Sequence, residues 1–318
     1  MSHGLAAIAR SAVSSIRNDL AYLWARWPGR VVFDHGRFRV DVETVRSLRT
    51  WTSAWKDPEL TVCIPTRDRL DLLVPCLTSL ASTTSGRRVD VLLGDTGSTA
   101  ATHDFYAAAG LPSVSLAGPF SFSRICNQLA EAAPAGRLLF LNSDTEARTR
   151  DWVPRLLESP AEEITGALLL YPGSDRVQHA GVEVVSALPG RRPANVYRPP
   201  RRYRRDFPLL VRHSHIGRRA GELPRDPRHE TMAVTGAFLS ASKRAFHDAG
   251  GFDEAYKVDL QDTDLCLTHR ELGGTVVCRT DIAFTHRHAG TRGRYAFPVE
   301  DWRLFFERWR DRLAEWAA

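Results

Sequence analysis

The chain has 318 residues, of which 43% are hydrophobic and 25% are charged. Such a composition is typical of a soluble globular protein, and the length allows one large domain with or without appendages. No stretch approaches the roughly 18–20 apolar residues of a membrane-spanning helix, so we expect no such segment to cross a bilayer. The five cysteines are odd in number and lack C-x-x-C spacing. This argues against a zinc site or a disulfide framework and fits a reducing compartment.

The net charge of +6 is unevenly distributed. Residues 191–228 contain twelve arginines, no lysine and three acidic residues, and several prolines interrupt them. Because proline excludes a regular helix, we predict a long, irregular, positively charged loop over 187–230. It could simply be solvated, or it could bind an anionic partner such as phospholipid headgroups or a lipid-diphosphate acceptor. We expect no nucleic acid as partner, since the loop has few aromatic residues for base stacking.

Residues 1–57 are predicted to form an N-terminal appendage. Apolar residues recur at roughly helical spacing over 16–27, and a short hairpin is predicted over 31–41. The first 18 residues contain two arginines, four serines and no acid. This composition occurs in organellar transit peptides, whereas the apolar core of a secretory signal is missing.

From Leu60 onward, short apolar strands alternate with amphipathic helices. Strands are predicted at "LTVCIP", "VDVLLGD", "SVSLAG" and "RLLFLN", and helices over 70–82, near 100–109, over 121–133 and over 150–159. This alternation indicates βαβ crossovers and a mostly parallel sheet in an α/β fold. The later part is mixed, with a strand over 233–241, helices over 243–249 and 262–272, and strands at "TVVC" and "IAFTH".

The last predicted element is an amphipathic helix over 300–316. Its tryptophan and phenylalanine side is flanked by arginines, which suits a membrane interface. Amphipathic helices usually face a core, however, and we favour packing onto the preceding domain or a second subunit.

Acidic residues follow three of the predicted parallel strands: Asp68, Asp95 and Asp144. In such sheets, ligands bind beyond the carboxyl ends of the strands. Each acid could simply cap a turn or a helix, but Asp95 could also accept hydrogen bonds from a nucleotide base or ribose. Asp144, flanked by Asn142 and Glu146, could bind Mg²⁺ or Mn²⁺ together with substrate phosphates, because hard cations prefer oxygen ligands.

Two further stretches carry candidate groups. Asp262 and Asp264 lie at the start of the predicted helix in "QDTDLCLTHRELGG", where acids stabilise the helix dipole; Asp262 could also act as a general base. His286 ends the strand "IAFTH", and with Asp144 it would form a mixed oxygen and nitrogen site that suits Mn²⁺ at least as well as Mg²⁺. The alternative is a histidine that only packs or faces solvent.

Taken together, these stretches resemble the family 2 glycosyltransferases with a GT-A fold. The likeness is to the bacterial rhamnosyltransferase-like members, which build cell-surface polysaccharides. It runs in order over residues 60–293 through "CIPTRDR", "LLGDTGST", "PFSFSRICNQLA", "LLFLNSDTEA", "LLLYPGSDRVQHAGV", "AVTGAFLSASKRAFHDAGGFDE", "QDTDLCLTHRELGG" and "THRHAGTRGR". We therefore expect a GT-A domain over 58–295, the loop insertion at 187–230 and a C-terminal helix within 296–318.

The resemblance assigns roles to residues of this chain. Asp144 matches the metal-binding acid of the D-x-D motif, His286 the downstream metal ligand, and Asp262 the catalytic base. The residues implied in donor binding are Thr66, Asp68, Asp95, Arg124, Asn142, Gly236 and Arg292. Those implied in the acceptor or sugar pocket are Gln178, His179 and Asp264. The chain departs from the pattern at Asn142, which replaces the first D-x-D acid, and at Gln261, where many relatives have a second acid.

The activity implied is inverting transfer of a sugar from a nucleotide-diphosphate sugar to an acceptor hydroxyl, assisted by a divalent cation, Mn²⁺ or Mg²⁺. The acceptor would be a glycan or lipid-linked glycan, and the protein cytoplasmic, with peripheral contact to the inner face of the cytoplasmic membrane as an open alternative. Two other functions stay open: non-catalytic binding of a nucleotide sugar or another anionic partner, and sugar-phosphate nucleotidyl transfer. The latter should show a glycine-rich loop after the first strand, and "PTRDRLD" has no glycine.

Overall fold

The computed structural model of the chain describes residues 31–35, 38–52, 55–84, 86–186, 206–287 and 298–317. The helix predicted over 16–27, the first part of the arginine-rich stretch and Arg292 lie outside these ranges. The predicted N-terminal hairpin is confirmed, because strand β1 (Val31–His35) pairs antiparallel with β2 (Phe38–Asp41).

Strands and helices alternate through the first half of the chain, as the sequence predicts. The further strands are β3 (Leu60–Thr66), β4 (Val89–Asp95), β5 (Ser113–Ser115), β6 (Arg137–Leu141), β7 (Thr145–Ala147), β8 (Glu163–Leu170), β9 (Val177–His179), β10 (Val182–Ser186), β11 (Leu209–His213), β12 (Arg228–Glu230), β13 (Phe238–Ser242) and β14 (Thr275–His286). The helices are α1 (Val42–Trp51), α2 (Leu70–Thr83), α3 (Ala100–Ala109), α4 (Phe122–Ala132), α5 (Trp152–Leu157), α6 (Lys243–Asp248), α7 (Gln261–Glu271) and α8 (Val299–Ala317).

One ten-stranded sheet organises the described part of the chain. Its main path runs β12-β14-β8-β13-β6-β3-β4-β5, with β7 paired to β14 and β9 paired to β8. Strands β5, β4, β3 and β6 are parallel, and β13 is antiparallel to both β6 and β8. Since β8 is parallel to β14, six of the eight strands of this path run in one direction. The prediction of a mostly parallel sheet is confirmed.

Helices cover both faces of this sheet. One core lies between the sheet and α1, α2, α3 and α5, and the other involves α4, α6, α7 and α8. Strands β6 and β8 are therefore buried along their whole length, which explains their nearly continuous apolar sequences. Helix α4 approaches β4 so closely that a Cβ at Gly94 would lie 2.5 Å from the Ile125 side chain, so the packing there requires glycine.

Three predictions about the second half are wrong in part. The irregular loop expected over 187–230 contains β11, which pairs antiparallel with β10, and β12, which pairs with β14. Its apolar residues Phe207, Leu210 and Val211 are buried in a core. Burial of these side chains favours regular structure in this stretch, although its sequence is rich in arginine. The strand expected over 233–241 begins only at Phe238. The strands expected at "TVVC" and "IAFTH" are one strand, β14, with an irregularity between Arg279 and Ala283.

The C-terminal helix packs onto the domain, as predicted. The buried side chains of its apolar side are Trp302, Phe305, Phe306, Trp309 and Leu313. They join the core that contains α4, α6 and α7. In the described ranges, no helix combines the length and apolarity that crossing a membrane would need.

The five cysteines are buried free thiols, consistent with the absence of a disulfide framework.

Candidate active site

The ends of β3 and β4 form the first part of the candidate site. Thr66 and Asp95 are opposite each other in the parallel register. Just beyond β3, Asp68 adopts φ 50°, and its Oδ1 accepts hydrogen bonds from the N–H and hydroxyl of Thr99, both 2.8 Å, and from the hydroxyl of Thr102, 2.9 Å. These contacts anchor the start of α3 to the segment that follows β3. Asp68 therefore ties the two strand ends together at the edge where ligands bind in such sheets.

Asp95 is buried and strongly hydrogen-bonded. Its Oδ1 accepts from the backbone N–H of Gly97, 2.9 Å, and of Ser98, 3.0 Å, and the hydroxyl of Tyr106 donates to Oδ2 at 3.2 Å. Burial alone would raise the pKa of Asp95, but these hydrogen bonds and the nearby His103 outweigh it, and the pKa lies below its usual value. Asp95 is thus held as a carboxylate at the end of β4, with 1% of the residue exposed in this conformation.

Arg124 holds the segment that leads from β5 into α4. Its Nη2 donates to the carbonyl oxygens of Ala117 and Pro119, at 3.2 and 3.0 Å. The backbone N–H of Leu116, at the start of this segment, donates to the carbonyl of Asp95 at 2.8 Å. Phe120 is 55% exposed within it. An aromatic ring is therefore presented to solvent close to the end of β4.

Asp144 and His286 meet where β6 and β14 end. The Nε2 of His286 lies 3.2 Å from Oδ1 of Asp144 and 3.4 Å from Nδ2 of Asn142. Strand β7 brings them together, because Thr145 pairs with His286 in its antiparallel register with β14. Asp144 and His286 are 5% and 7% exposed. A carboxylate and an imidazole thus converge although 142 residues separate them in sequence.

Gln178 fixes the orientation of the His286 ring. Its Nε2 donates to the carbonyl of His286 at 3.1 Å, and its Oε1 therefore faces Nδ1, at 2.6 Å. Nδ1 must carry the proton of the neutral ring, which leaves a lone pair on Nε2, directed at Asp144. Two acceptors 3.2 Å apart are stable when a proton or a metal ion lies between them. The donor set fits Mn²⁺ or Mg²⁺.

The protein side of this pair is incomplete for an ion by itself. In the part of the chain that the structure describes, no three His, Cys, Asp or Glu side chains are grouped closely enough to hold a metal. A divalent ion bound by Asp144 and His286 would therefore need further oxygen ligands from a substrate or water, as Mg²⁺ sites commonly have.

Asp262 lies in the first turn of α7 and is half-buried. Its Oδ2 accepts the backbone N–H of Gly236 at 2.7 Å, and its Oδ1 accepts the N–H of Thr263 at 2.8 Å. A Cβ on Gly236 would lie 3.2 Å from the Phe122 ring and 3.6 Å from the Cβ of Asp262. The close approach of the Phe122 ring therefore favours glycine at position 236.

These groups lie at one edge of the sheet. The backbone N–H of Asn142 donates to the carbonyl of Ala237 at 3.2 Å, which places the turn containing Asp144 beside Gly236, the partner of Asp262. Strand β3 lies between β6 and β4, so the end of β3 adjoins the same turn and the end of β4 lies one strand further along the edge. The fold thus brings Asp95, Asp144, Asp262 and His286 to a common edge.

Two residues expected in a substrate pocket, His179 and Asp264, lie behind this edge of the sheet. His179 is wholly buried, with its ring 4.5 Å from that of His213, and its Nε2 accepts the N–H of Gly181 at 3.3 Å. Burial, together with the nearby His213, lowers the pKa of His179 well below its usual value. Asp264 is 3% exposed and faces α8. In this conformation neither carries an exposed group toward the strand ends.

Sequence reasoning did not anticipate three contacts in the site: Tyr106 at Asp95, Phe122 at Gly236, and the support of His286 by Gln178. Tyr106 and Phe122 are apolar positions of predicted helices, where burial alone accounts for an aromatic residue. No pattern in the sequence distinguishes them from other core residues.

The chain is similar to known proteins in sequence and in fold. No protein-family model matches the chain. A relative described as O-antigen biosynthesis protein RfbC, from Myxococcus xanthus, is 29% identical over 260 residues, covering 80% of this chain and 19% of the relative. A second, described as uncharacterized protein y4gI, from Sinorhizobium fredii, is 28% identical over 256 residues, covering 76% of this chain and 26% of the relative. The chain thus spans about a fifth to a quarter of the length of these relatives.

A solved structure of GalNAc-T7 with UDP, GalNAc and Mn²⁺ superposes on 80% of the chain with a TM-score of 0.60 and 12% sequence identity, covering 49% of the solved chain. The fold is therefore the GT-A fold, a central, mostly parallel sheet with flanking helices. This confirms the fold class predicted from the sequence.

Proposed function

We propose that the chain is an inverting, metal-assisted glycosyltransferase that moves a sugar from a nucleotide-diphosphate sugar to an acceptor hydroxyl. One observation carries this proposal: the half-buried carboxylate of Asp262 lies at the same sheet edge as the pair formed by Asp144 and His286. One end of this arrangement can hold a diphosphate through an ion, and the other can accept a proton. The GT-A fold and the likeness to an O-antigen biosynthesis protein support it.

In the proposed site, Asp144 and His286 would hold Mn²⁺ or Mg²⁺, which supplies charge neutralisation for the departing nucleoside diphosphate. Asp95 and Thr66, at the ends of β3 and β4, would bind the base and ribose. Asp68 would act indirectly, by tying the segment after β3 to the start of α3, which follows β4. Asn142, Arg124 and Gly236 line the same edge through the contacts described above, and they complete the proposed donor site.

Asp262 would act as the general base. The acceptor oxygen attacks the anomeric carbon, the bond from that carbon to the diphosphate oxygen breaks, and a carboxylate oxygen of Asp262 takes the hydroxyl proton. A single displacement of this kind inverts the anomeric configuration. The N–H groups of Gly236 and Thr263 hold the carboxylate in place, because each fixes one of its oxygens.

We propose a glycan or lipid-linked glycan as acceptor, in synthesis of a cell-surface polysaccharide. This rests on the likeness to the Myxococcus xanthus protein described as acting in O-antigen biosynthesis. Work on such an acceptor would take place in the cytoplasm, with peripheral contact to the inner membrane face. In this view, the positive charge of residues 191–228 would attract the phosphate groups of the acceptor or its membrane.

Donor binding tests the first half of the proposal. A panel of nucleotide sugars is screened with Mn²⁺ for thermal stabilisation, since a ligand at 100 times its dissociation constant adds about 2.7 kcal/mol of stability. We expect at least one donor to stabilise the protein, Asp144→Ala to remove this effect, and Asp104→Asn, at an exposed position on α3, to keep it. Stabilisation that survives both Asp144→Ala and excess chelator would exclude the proposed ion site.

Turnover tests the second half. With the stabilising donor, Asp262→Asn should lower donor hydrolysis by roughly 10²–10⁴-fold, the usual contribution of a general base, while donor binding is kept. NMR identifies the anomer that is released first, and its configuration should be opposite to that of the donor. Retention of configuration, or a mutant as active as the wild type, would contradict the proposed mechanism.

A further inference from the structure

The position of Asp262 depends on a loop without regular structure. Residues 252–260 connect α6 and its glycine stop to α7. Leu260, directly before α7, adopts φ 71°, and α7 has no side-chain cap at its N-terminus. A non-glycine residue in this region of φ is strained. Contacts from elsewhere must therefore hold the first turn of α7, where Asp262 lies.

Asp301, near the start of α8, binds the backbone of this loop. Its Oδ1 accepts the N–H of Lys257 at 2.9 Å, and its Oδ2 accepts the N–H groups of Val258 and Asp259, both at 2.8 Å. Asp301 is 2% exposed. Three successive N–H groups that no sheet or helix pairs are thus satisfied by one buried carboxylate, and hydrogen bonds to a charged acceptor are among the stronger ones in proteins.

A second contact joins α8 to α7 itself. Asp264 accepts hydrogen bonds from the hydroxyl of Tyr256, 2.9 Å, from Nε1 of Trp309, 2.7 Å, and from Nη1 of Arg308, 3.0 Å. Asp264 follows Asp262 by two residues, which is about 200° around a helix. One aspartate of α7 therefore points to Gly236 while the other points away from it, to α8.

Helix α8 is a rigid support for both contacts. Its residues Trp302 and Phe305 are 1% and 0% exposed and belong to the core shared with α4, α6 and α7. Asp264, which contacts α8, and Asp301, which belongs to α8, are almost entirely buried. Movement of α8 would leave these charges without partners inside the protein, at a large cost in free energy.

We infer that Asp301 and Asp264 are positioning residues for the candidate base. Through the 257–259 backbone and through the contacts of α7 with α8, they hold the first turn of α7 so that the Asp262 carboxylate stays on the N–H of Gly236. This inference rests on the proposed function, because Asp262 is a catalytic base only in that function. It makes the C-terminal helix α8 part of the catalytic unit.

The first test uses Asp301→Asn, which keeps the size of the side chain but leaves one acceptor oxygen in place of two. With the donor that stabilises the wild type most, and water as acceptor, we expect hydrolysis to fall by about 10²-fold, the scale on which a shift of about 1 Å acts. Donor binding, which uses other residues, should be unchanged. Asp311→Asn is the matched control, because Asp311 is exposed on the same helix; it should hydrolyse like the wild type.

A double-mutant cycle separates positioning from general damage. If Asp301 acts through Asp262, Asp301→Asn causes no further loss in the Asp262→Asn background. Equal fold losses in both backgrounds would overturn the inference. Should Asp301→Asn fail to fold, Tyr256→Phe, which removes one hydrogen bond to Asp264, takes its place in the same cycle.

A measurement without turnover distinguishes this inference from the proposed function. The backbone amide resonance of Gly236 reports its hydrogen bond to Asp262. It should shift in Asp301→Asn and stay in place in Asp311→Asn, whether or not a donor is found. An unchanged Gly236 resonance in Asp301→Asn overturns the positioning role alone. A protein that binds and hydrolyses no nucleotide sugar overturns the proposed function, whereas a shifted Gly236 resonance in Asp301→Asn would still show that Asp301 positions Asp262.

Discussion

The carboxamide of Gln178 holds His286 at two points, with its Oε1 2.6 Å from the ring Nδ1 and its Nε2 3.1 Å from the backbone oxygen. The backbone contact orients the amide, and the oriented amide sets the tautomer of the ring. Outer partners of this kind determine which nitrogen of a histidine is free to bind a metal.

Replacement of Gln178 should weaken metal binding without touching a ligand. We expect Gln178→Leu to reduce the affinity for Mn²⁺, in the presence of the best nucleoside diphosphate, by about 10–100-fold. Gln178→Glu keeps an acceptor for Nδ1–H and should lose less. Titration by electron paramagnetic resonance measures free Mn²⁺ directly. Equal affinities for the wild type and Gln178→Leu would show that the tautomer does not matter.

Gly236→Ala should disturb the candidate base. The new Cβ would lie 3.2 Å from the Phe122 ring, which must move by a few tenths of an ångström, and 3.6 Å from the Cβ of Asp262, an ordinary van der Waals distance. Overpacking of this kind costs about 1–3 kcal/mol, and we expect slower donor hydrolysis. Phe122→Leu in the same chain removes the ring edge and should restore part of the rate. No restoration would mean that the clash is not with Phe122.

Asp95 should stabilise the fold in a pH-dependent way. Its pKa in the folded protein lies below the usual value, so its contribution is complete above the unfolded-state pKa of about 3.9 and is lost as the pH falls through the lower, folded-state pKa. Asp95→Asn should therefore cost stability, on the order of 1 kcal/mol, at pH 7.

Urea unfolding of the wild type and Asp95→Asn, measured between pH 7 and pH 3, checks this expectation. The difference in unfolding free energy should be constant down to about pH 4 and shrink below it. A difference that grows on acidification would contradict the direction of the shift. Asp104→Asn, exposed on α3, should show no such trend.

The C-terminal helix should contribute strongly to global stability. Phe305 is wholly buried, and Phe305→Ala should lower the unfolding free energy by about 3–5 kcal/mol, as is usual for a large core residue. Trp316 lies on the same helix, is 41% exposed and stacks with Arg270, so Trp316→Ala should cost no more than about 1 kcal/mol. Chemical denaturation of both variants measures the two values, and similar losses would contradict the packing described.

Local patterns predicted the fold well and the contacts of the site less well. The run "LLFLNSDTEA" predicted a buried strand and acids at its end, because burial and turn chemistry both act over a few residues. The anchoring of α3 by Asp68 depends on partners 31 and 34 residues away, and the contact of Gln178 with His286 spans 108 residues. Contacts between residues so far apart in the chain leave no periodic signal in a single sequence.

Asp262 and Asp264 illustrate the same limit. Their spacing predicts that they face different sides of a helix, yet not which of them faces the strand ends. The tertiary contacts with Gly236 and with α8 decide it. In residues 206–230, the density of arginine obscured the short apolar stretch of β11, whose residues are fixed by pairing with β10.

The placement of β13 between β6 and β8 affects how the protein is made. During synthesis, β6 emerges about a hundred residues before Phe238–Ser242, the segment that pairs with it. Until then the nascent chain carries a mostly apolar strand with an unpaired edge, which is a known route to aggregation. Folding dominated by such distant pairings is slow. We therefore expect fragments that stop before residue 238 to require chaperones or to precipitate, and the edge with the candidate active site to form late, after the last central strand has inserted.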